Sequence, residues 1–259
     1  MIKVNVFITL YKRPLVTEIC FLGLDRIRQK FEGTFDFRVY AIGEDKSFMP
    51  LCRDHDIIFI SNDPSEKLGE KIQRVVGYSM QERPDFDYLM KIDSDDLITE
   101  NMLNKWAILA DEGCPAFGSK DKYLINILTG ESKYFEGYPN TKMGVSGGKM
   151  IRADIVKALR GKICKPFLEE GIDYSIKLQL QKQEVAERLV PTYGNIEIKS
   201  PVGIHGYEDI EGEQMNIQAV TDLLSPVERS MIRNYRIYEM YRRSHECPKG
   251  IAPIFHVSV

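Results

Sequence analysis

Residues 85–97 read D-F-D-Y-L-M-K-I-D-S-D-D-L, and this stretch narrows the folds open to the whole chain. Phe86, Tyr88, Leu89, Met90 and Ile92 make an apolar, aromatic-rich run of strand length, and Asp93, Asp95 and Asp96 follow within four residues. Three carboxylates in so short a span repel one another. At neutral pH they need positive charge beside them, and a hard divalent cation with oxygen ligands supplies it. If the backbone stays extended through Asp93, the two-residue period puts Asp93 and Asp95 on one side, facing one ion or an ion and a ribose, with Asp96 pointing elsewhere. An acidic loop capping the next helix is the alternative. Open α/β sheets bind ligands beyond the carboxyl ends of their strands, where such a cluster would sit.

The segments before it supply a sheet. Val4, Val6 and Ile8 alternate with Asn5, Phe7 and Thr9, which predicts a buried first strand over 2–10. Pro14 then turns the chain into a helix over 15–30, with Ile19, Leu22, Leu24 and Ile27 on its apolar face. Residues 35–42 and 57–60 read as further strands and 68–82 as a helix, so the first hundred residues predict a parallel, Rossmann-like sheet. Thr99 caps a helix over 100–112, 117–129 is strand material, and 137–148, rich in Gly, Pro and Asn, has the texture of a substrate loop. Helices are expected again over 152–160 and 173–182, and a strand over 196–204. Ser225-Pro226-Val227-Glu228 is a capping box that opens a helix reaching Arg243. Its Met231, Ile232, Tyr235, Tyr238 and Tyr241 are expected to pack on the core while its arginines face water.

A chain of 259 residues with 43% hydrophobic and 28% charged residues and a net charge of −3 is neither disordered nor a wholesale nucleic-acid binder. Its five cysteines are scattered and odd in number, without a C-x-x-C pair, which points to a reducing compartment and away from structural zinc. The N-terminal apolar run is too short for a signal peptide, and no apolar run nears 20 residues. A cytoplasmic protein follows, with room for peripheral membrane contact.

These motifs resemble the family 2-like glycosyltransferases of the GT-A fold. The hallmark D-x-D after a strand is similar to Asp93-Ser94-Asp95, with Asp96 following. V-F-I-T-L-Y-K-R-P resembles the family's first strand and nucleotide-facing turn, placing Thr9, Tyr11 and Arg13 in its polar and aromatic positions. Asp45 follows the second strand, where the family sets an acidic residue against the nucleobase. L-G-E-K-I-Q-R-V-V-G over 68–77 resembles a conserved helix start carrying Lys71, with Gln73 replacing the usual Asn. Downstream, Gly147-Gly148-Lys149-Met150 resembles the Gly-rich strand lining the donor sugar, and E-E-G-I-D-Y-S over 169–175 the segment that supplies a catalytic carboxylate. Gly171 stands where that segment has its usual Asp, so the base falls to Asp173 or Glu170, which lie three residues apart and share a face if a helix begins there.

The resemblance implies a single α/β GT-A domain with a mostly parallel central sheet flanked by helices: a nucleotide-binding half over 1–105, an acceptor and catalytic half over 106–220, and a helical extension over 221–259. It implies transfer of a sugar from a nucleotide-sugar donor, of the UDP class, to a glycan or other hydroxyl acceptor, a nucleic-acid acceptor remaining open. Mn²⁺ or Mg²⁺ would be held by Asp93, Asp95 and His205, with Ser94 and Gly148 also near the donor. A sugar-nucleotide nucleotidyltransferase is the competing enzyme class, although Thr9-Leu10-Tyr11-Lys12-Arg13-Pro14 lacks the Gly-rich phosphate loop it would carry. A non-catalytic nucleotide- or glycan-binding module is the other alternative, supported by Gly171.

Overall fold

A computed structural model describes residues 1–138, 143–145, 147–201 and 206–244, with side chains through residue 237. The chain begins with β1 (Ile2–Thr9), α1 (Pro14–Lys30), β2 (Phe35–Gly43), α2 (Phe48–Asp54), β3 (Ile58–Ser61), α3 (Leu68–Glu82) and β4 (Tyr88–Asp93). β1 runs parallel to β2 and β4, and β2 parallel to β3, as the alternation of strand and helix patterns requires. Helix α2 had no counterpart in the sequence expectation. It is seven residues long and buries only Phe48 and Cys52, too little for a 3.6-residue period to show.

After β4 come β5 (Asp96–Ile98), α4 (Glu100–Asp111), β6 (Ala116–Ser119), β7 (Lys122–Asn126), β8 (Ser132–Phe135), β9 (Lys149–Arg152), α5 (Ala153–Ala158) and α6 (Ile172–Lys182). Then follow β10 (Arg188–Val190), β11 (Asn195–Lys199), β12 (Glu213–Met215), α7 (Ile217–Thr221) and α8 (Pro226–Ser244). Among the described residues the strands form a seven-stranded sheet, β10-β6-β9-β4-β1-β2-β3, and a five-stranded one, β12-β8-β7-β11-β5. In the first sheet β9 alone lies antiparallel to its neighbours, between β4 and β6.

The second sheet was not anticipated. The strand material expected over 117–129 splits into β6 and β7, which join different sheets. Asp121 holds the corner between them: its buried carboxylate accepts from Ser119 Oγ at 2.8 Å, the Thr192 and Tyr193 amides at 2.6 and 3.1 Å, and Tyr134 Oη at 2.9 Å. The late strand, β11, begins near the expected position and ends at Lys199.

Alternation along the central strands builds a core on each face of the first sheet. Val4, Val6, Ile8, Met90 and Ile92 pack with α1 and α4, whereas Phe7, Leu89 and Ile151 pack with α3, α5 and α6. A third cluster joins the second sheet to α1, α7 and the Met231 and Ile232 side of α8. Arg233 and Arg236 of α8 are exposed, and Tyr238 and Tyr241 lie beyond the described side chains. The capping box of α8 forms as expected, Glu228 accepting from the Ser225 amide at 2.6 Å; the same buried carboxylate takes Arg26 of α1 at 3.1 Å.

Gly69, in the first turn of α3, shows why a glycine stands in that helix. Its amide donates to Leu168 O at 2.9 Å, and a Cβ there would overlap the backbone carbonyls of Lys165 and Pro166. No side chain can swing away to make room. Gly69→Ala is therefore expected to destabilise the protein by about 2–4 kcal/mol in urea denaturation, the overpacking range and somewhat beyond it because backbone must move. A loss under about 0.5 kcal/mol, within the range of an ordinary surface change, would mean that the 165–168 segment yields freely.

Candidate active site

The order β3-β2-β1-β4 changes direction between β1 and β4, the position at which open α/β sheets leave a crevice at their carboxyl edge. Thr9 at the end of β1 is in register with Asp93 at the end of β4. There the chain turns at Ser94-Asp95 and re-enters extended structure at Asp96, which pairs with Glu197 of β11 in the second sheet. Asp93 thus closes one sheet and Asp96 opens the other. Because the backbone turns between them, the two-residue alternation argued from sequence does not arrange the carboxylates; the turn does. Asp96 Oδ2 accepts the Asp93 amide at 3.0 Å, and Gly147, at φ +90°, leaves no space for a Cβ, which would lie 2.6 Å from that oxygen.

Part of the positive charge the cluster needs comes from the chain itself. Arg13 donates to Asp95 Oδ2 at 2.5 Å and to Ser94 Oγ at 3.4 Å. Lys91, two residues before Asp93 on the same strand face, donates to Asp93 Oδ2 at 2.8 Å. Lys122 and Lys199 pair with Glu197 and hold it down to about 2 despite its burial. The remainder is short of cation. Burial and the Glu197 charge push Asp95 up to about 6, against the pull of Arg13. Asp96, buried beside Asp93, Asp95 and Glu197, is raised well above the carboxylate range. A turn whose carboxylates resist ionisation even with an arginine in place has the charge deficit that a divalent ion fills. Asp93 and Asp95 offer oxygen donors; His205, the expected third ligand, lies outside the described residues, and among those described no three His, Cys, Asp or Glu side chains are arranged so that they could hold a metal ion together.

Asp173 reaches the site from the first turn of α6. Its Oδ1 lies 3.8 Å from Lys91 Nζ and 3.6 Å from Lys149 Nζ. Burial pushes its pKa up, but Lys91, Lys149 and Lys122 outweigh that and hold it below the usual value. Gly171 precedes α6 in the left-handed region at φ +69°, which accounts for a glycine where the family pattern has Asp: an L side chain there would be strained. Glu170 is exposed, and its neighbour Glu169 pairs with Lys67 at 2.7 Å.

The other expected site residues are dispersed along the carboxyl edge. Tyr11 is 46% exposed, open to stacking, and Thr9 is half-buried. Asp45 is exposed beyond β2, its carboxylate accepting the Ser47 amide at 2.8 Å and lowered by that bond. Lys71 lies half-buried on α3, where its charge helps to lower Glu169. Gly148 is taken up by the fold: its amide donates to Lys91 O and its carbonyl accepts Trp106 Nε1, each at 2.7 Å. Sequence reasoning passed over Lys91, Lys149, Glu187 and Glu197. Their signal was a charged residue inside an otherwise apolar strand run, legible for Lys91 in Y-L-M-K-I-D and for Lys149 in K-M-I-R; Glu187 carried none.

No protein-family model matches the chain, and no curated protein matches it by sequence. Solved structures do share its fold. S. aureus TarS 1-349 in complex with UDP-GlcNAc aligns with a TM-score of 0.54 at 13% identity, covering 93% of this chain and 74% of that one. A second structure of TarS 1-349 gives 0.50 at 12% identity, over 93% and 73%. The chain has a single-domain, GT-A-like α/β fold with a mostly parallel central sheet flanked by helices, similar to that of TarS.

Proposed function

We propose that the protein is a metal-dependent glycosyltransferase that moves a sugar from a UDP-sugar to an acceptor hydroxyl. The observation that carries this reading is the placing of Asp93 beside Thr9 at the β1–β4 carboxyl edge, with Asp95 two residues on and Asp173 joined to Asp93 through Lys91, on a fold shared with a protein solved in complex with UDP-GlcNAc. Mn²⁺ or Mg²⁺ held by Asp95 and Asp93, with His205 as a further ligand, would neutralise the diphosphate as it departs. Tyr11 stacks on the nucleobase, Asp45 and Thr9 hydrogen-bond the nucleoside, and Arg13, already on Asp95 and Ser94, orients the metal-binding turn. Lys71, Ser94 and Gly148 complete the donor side through charge and backbone position.

Asp173 is the acceptor-side base, with exposed Glu170 the other candidate. As the acceptor oxygen bonds to the anomeric carbon, its O–H bond breaks and the proton passes to the carboxylate. The carbon–oxygen bond to the diphosphate breaks, and its electron pair leaves with the nucleotide. This is inversion. Among the described residues no helix is long and apolar enough to cross a membrane. The free Cys20, Cys52, Cys114 and Cys164 support a reducing setting.

The test is thermal melting with UDP-, GDP-, CMP- and dTDP-sugars, with and without Mn²⁺. A UDP-sugar with Mn²⁺ at about a hundred times its dissociation constant is expected to stabilise the native state by about 2.7 kcal/mol. No response to any nucleotide sugar would overturn the reading.

A further inference from the structure

Lys91 of β4 and Lys149 of β9 lie directly opposite each other in antiparallel register, on the sheet face that α6 covers. Like charges in that position repel, and both side chains are sealed from water, at 6% and 0% exposure. Such a pair persists only with anions set between and around it. Three carboxylates do this. Asp173 Oδ1 lies 3.8 Å from Lys91 Nζ and 3.6 Å from Lys149 Nζ, Asp93 Oδ2 lies 2.8 Å from Lys91 Nζ, and Glu187 Oε1 lies 3.3 Å from Lys149 Nζ. Glu187 is itself buried, and its carboxylate fits against Gly118 and Gly144, where a Cβ would lie 2.5 and 3.0 Å from Oε1. The row Asp93–Lys91–Asp173–Lys149–Glu187 thus has three sealed members and two carboxylates, Asp93 and Asp173, that remain 29% and 21% exposed.

We propose that Lys149 and Glu187 are positioning residues for Asp173: Glu187 anchors Lys149, and Lys149 with Lys91 draws Oδ1 of Asp173 inward, so that the rest of the carboxylate faces the acceptor hydroxyl. The inference rests on the assignment of Asp173 as the acceptor-side base. Two lysines alone would leave Asp173 a feeble base. The charge of Glu187 offsets part of the Lys149 field and keeps some basicity in Asp173. The other groups facing Asp173 are Lys122, which adds to the lysine field, and Cys164, whose buried thiol is raised and stays neutral.

The test is a carboxyl ¹³C NMR titration of the full chain, with the Asp173 signal assigned by its loss in Asp173→Asn. Lys149→Met is expected to move the Asp173 midpoint up by roughly 1 on the pH scale and the near-isosteric Glu187→Gln to lower it, the range of a charge removed at this distance. Glu187→Gln keeps the native shape, so it decides the matter if Lys149→Met does not fold. Midpoints unchanged in the folded variants would overturn the positioning role. The pH profile of kcat then separates the two layers: its acid limb is expected to move with the NMR midpoint, and an NMR change without a matching kinetic one would overturn the base assignment instead.

Discussion

Asp173→Asn is expected to lower sugar transfer by about 10²–10⁴-fold, the contribution of a positioned general base, while a UDP-sugar with Mn²⁺ still raises the melting temperature. The same substitution strips two buried lysines of a shared anion, which costs about 3–5 kcal/mol when one partner of a buried charge set is removed. The pH dependence of that cost has a definite sign. Asp173 is held below its unfolded pKa, so the ionised carboxylate stabilises the fold above the unfolded value, and this contribution is lost as pH falls through the folded one. The stability gap between wild type and Asp173→Asn is therefore expected to be full at neutral pH and to close in acid. Rates for Asp173→Asn and Glu170→Gln, measured side by side with urea titrations, check both parts. Loss of transfer in Glu170→Gln with Asp173→Asn still active would give the base to Glu170.

Asp95→Asn is expected to separate stability from function. In the metal-free protein Asp95 is raised to about 6 from a usual 3.8, so the folded state resists its ionisation and stability declines as pH climbs from about 4 to above 6. A rise of that size corresponds to about 3 kcal/mol, and the side chain is only 7% exposed, so solvent screening removes little of it. Asn cannot ionise. The variant is thus expected to be more stable than the metal-free wild type at about pH 8, by up to about 3 kcal/mol, the pull of Arg13 being already contained in the raised pKa, and equal to it near pH 4. With Mn²⁺ and a UDP-sugar the order is expected to reverse, and metal-dependent donor hydrolysis is expected to be abolished in the variant. Urea denaturation from about pH 4 to about pH 8 with EDTA, then with Mn²⁺ and donor, reads out both. A variant that matches wild type at every pH would show that Asp95 bears no excess charge.

Both results depend on a site that was only partly legible in the chain. Apart from α2 and β5, the order from β1 to α4 could be read because alternation in Val4, Val6 and Ile8, the Pro14 start of α1 and the strand before Asp93 are local signals. The capping box of α8 was legible for the same reason, its partners standing three residues apart. Gly171 could be seen to break the family pattern, but the positive φ that explains it could not.

By itself, then, the sequence determined a parallel sheet ending in an acidic turn, since periodicity and capping act over a few residues and are written in the order of the side chains. Only the tertiary structure decided that the turn joins two sheets, that Arg13 stands on Asp95, and that Asp173 and Glu187 hold two lysines in register. Those partners lie up to about a hundred residues apart along the chain, and no local period records which of them will meet. They are brought together by strand pairing and by the cost of leaving a buried charge alone, and both are properties of the folded whole.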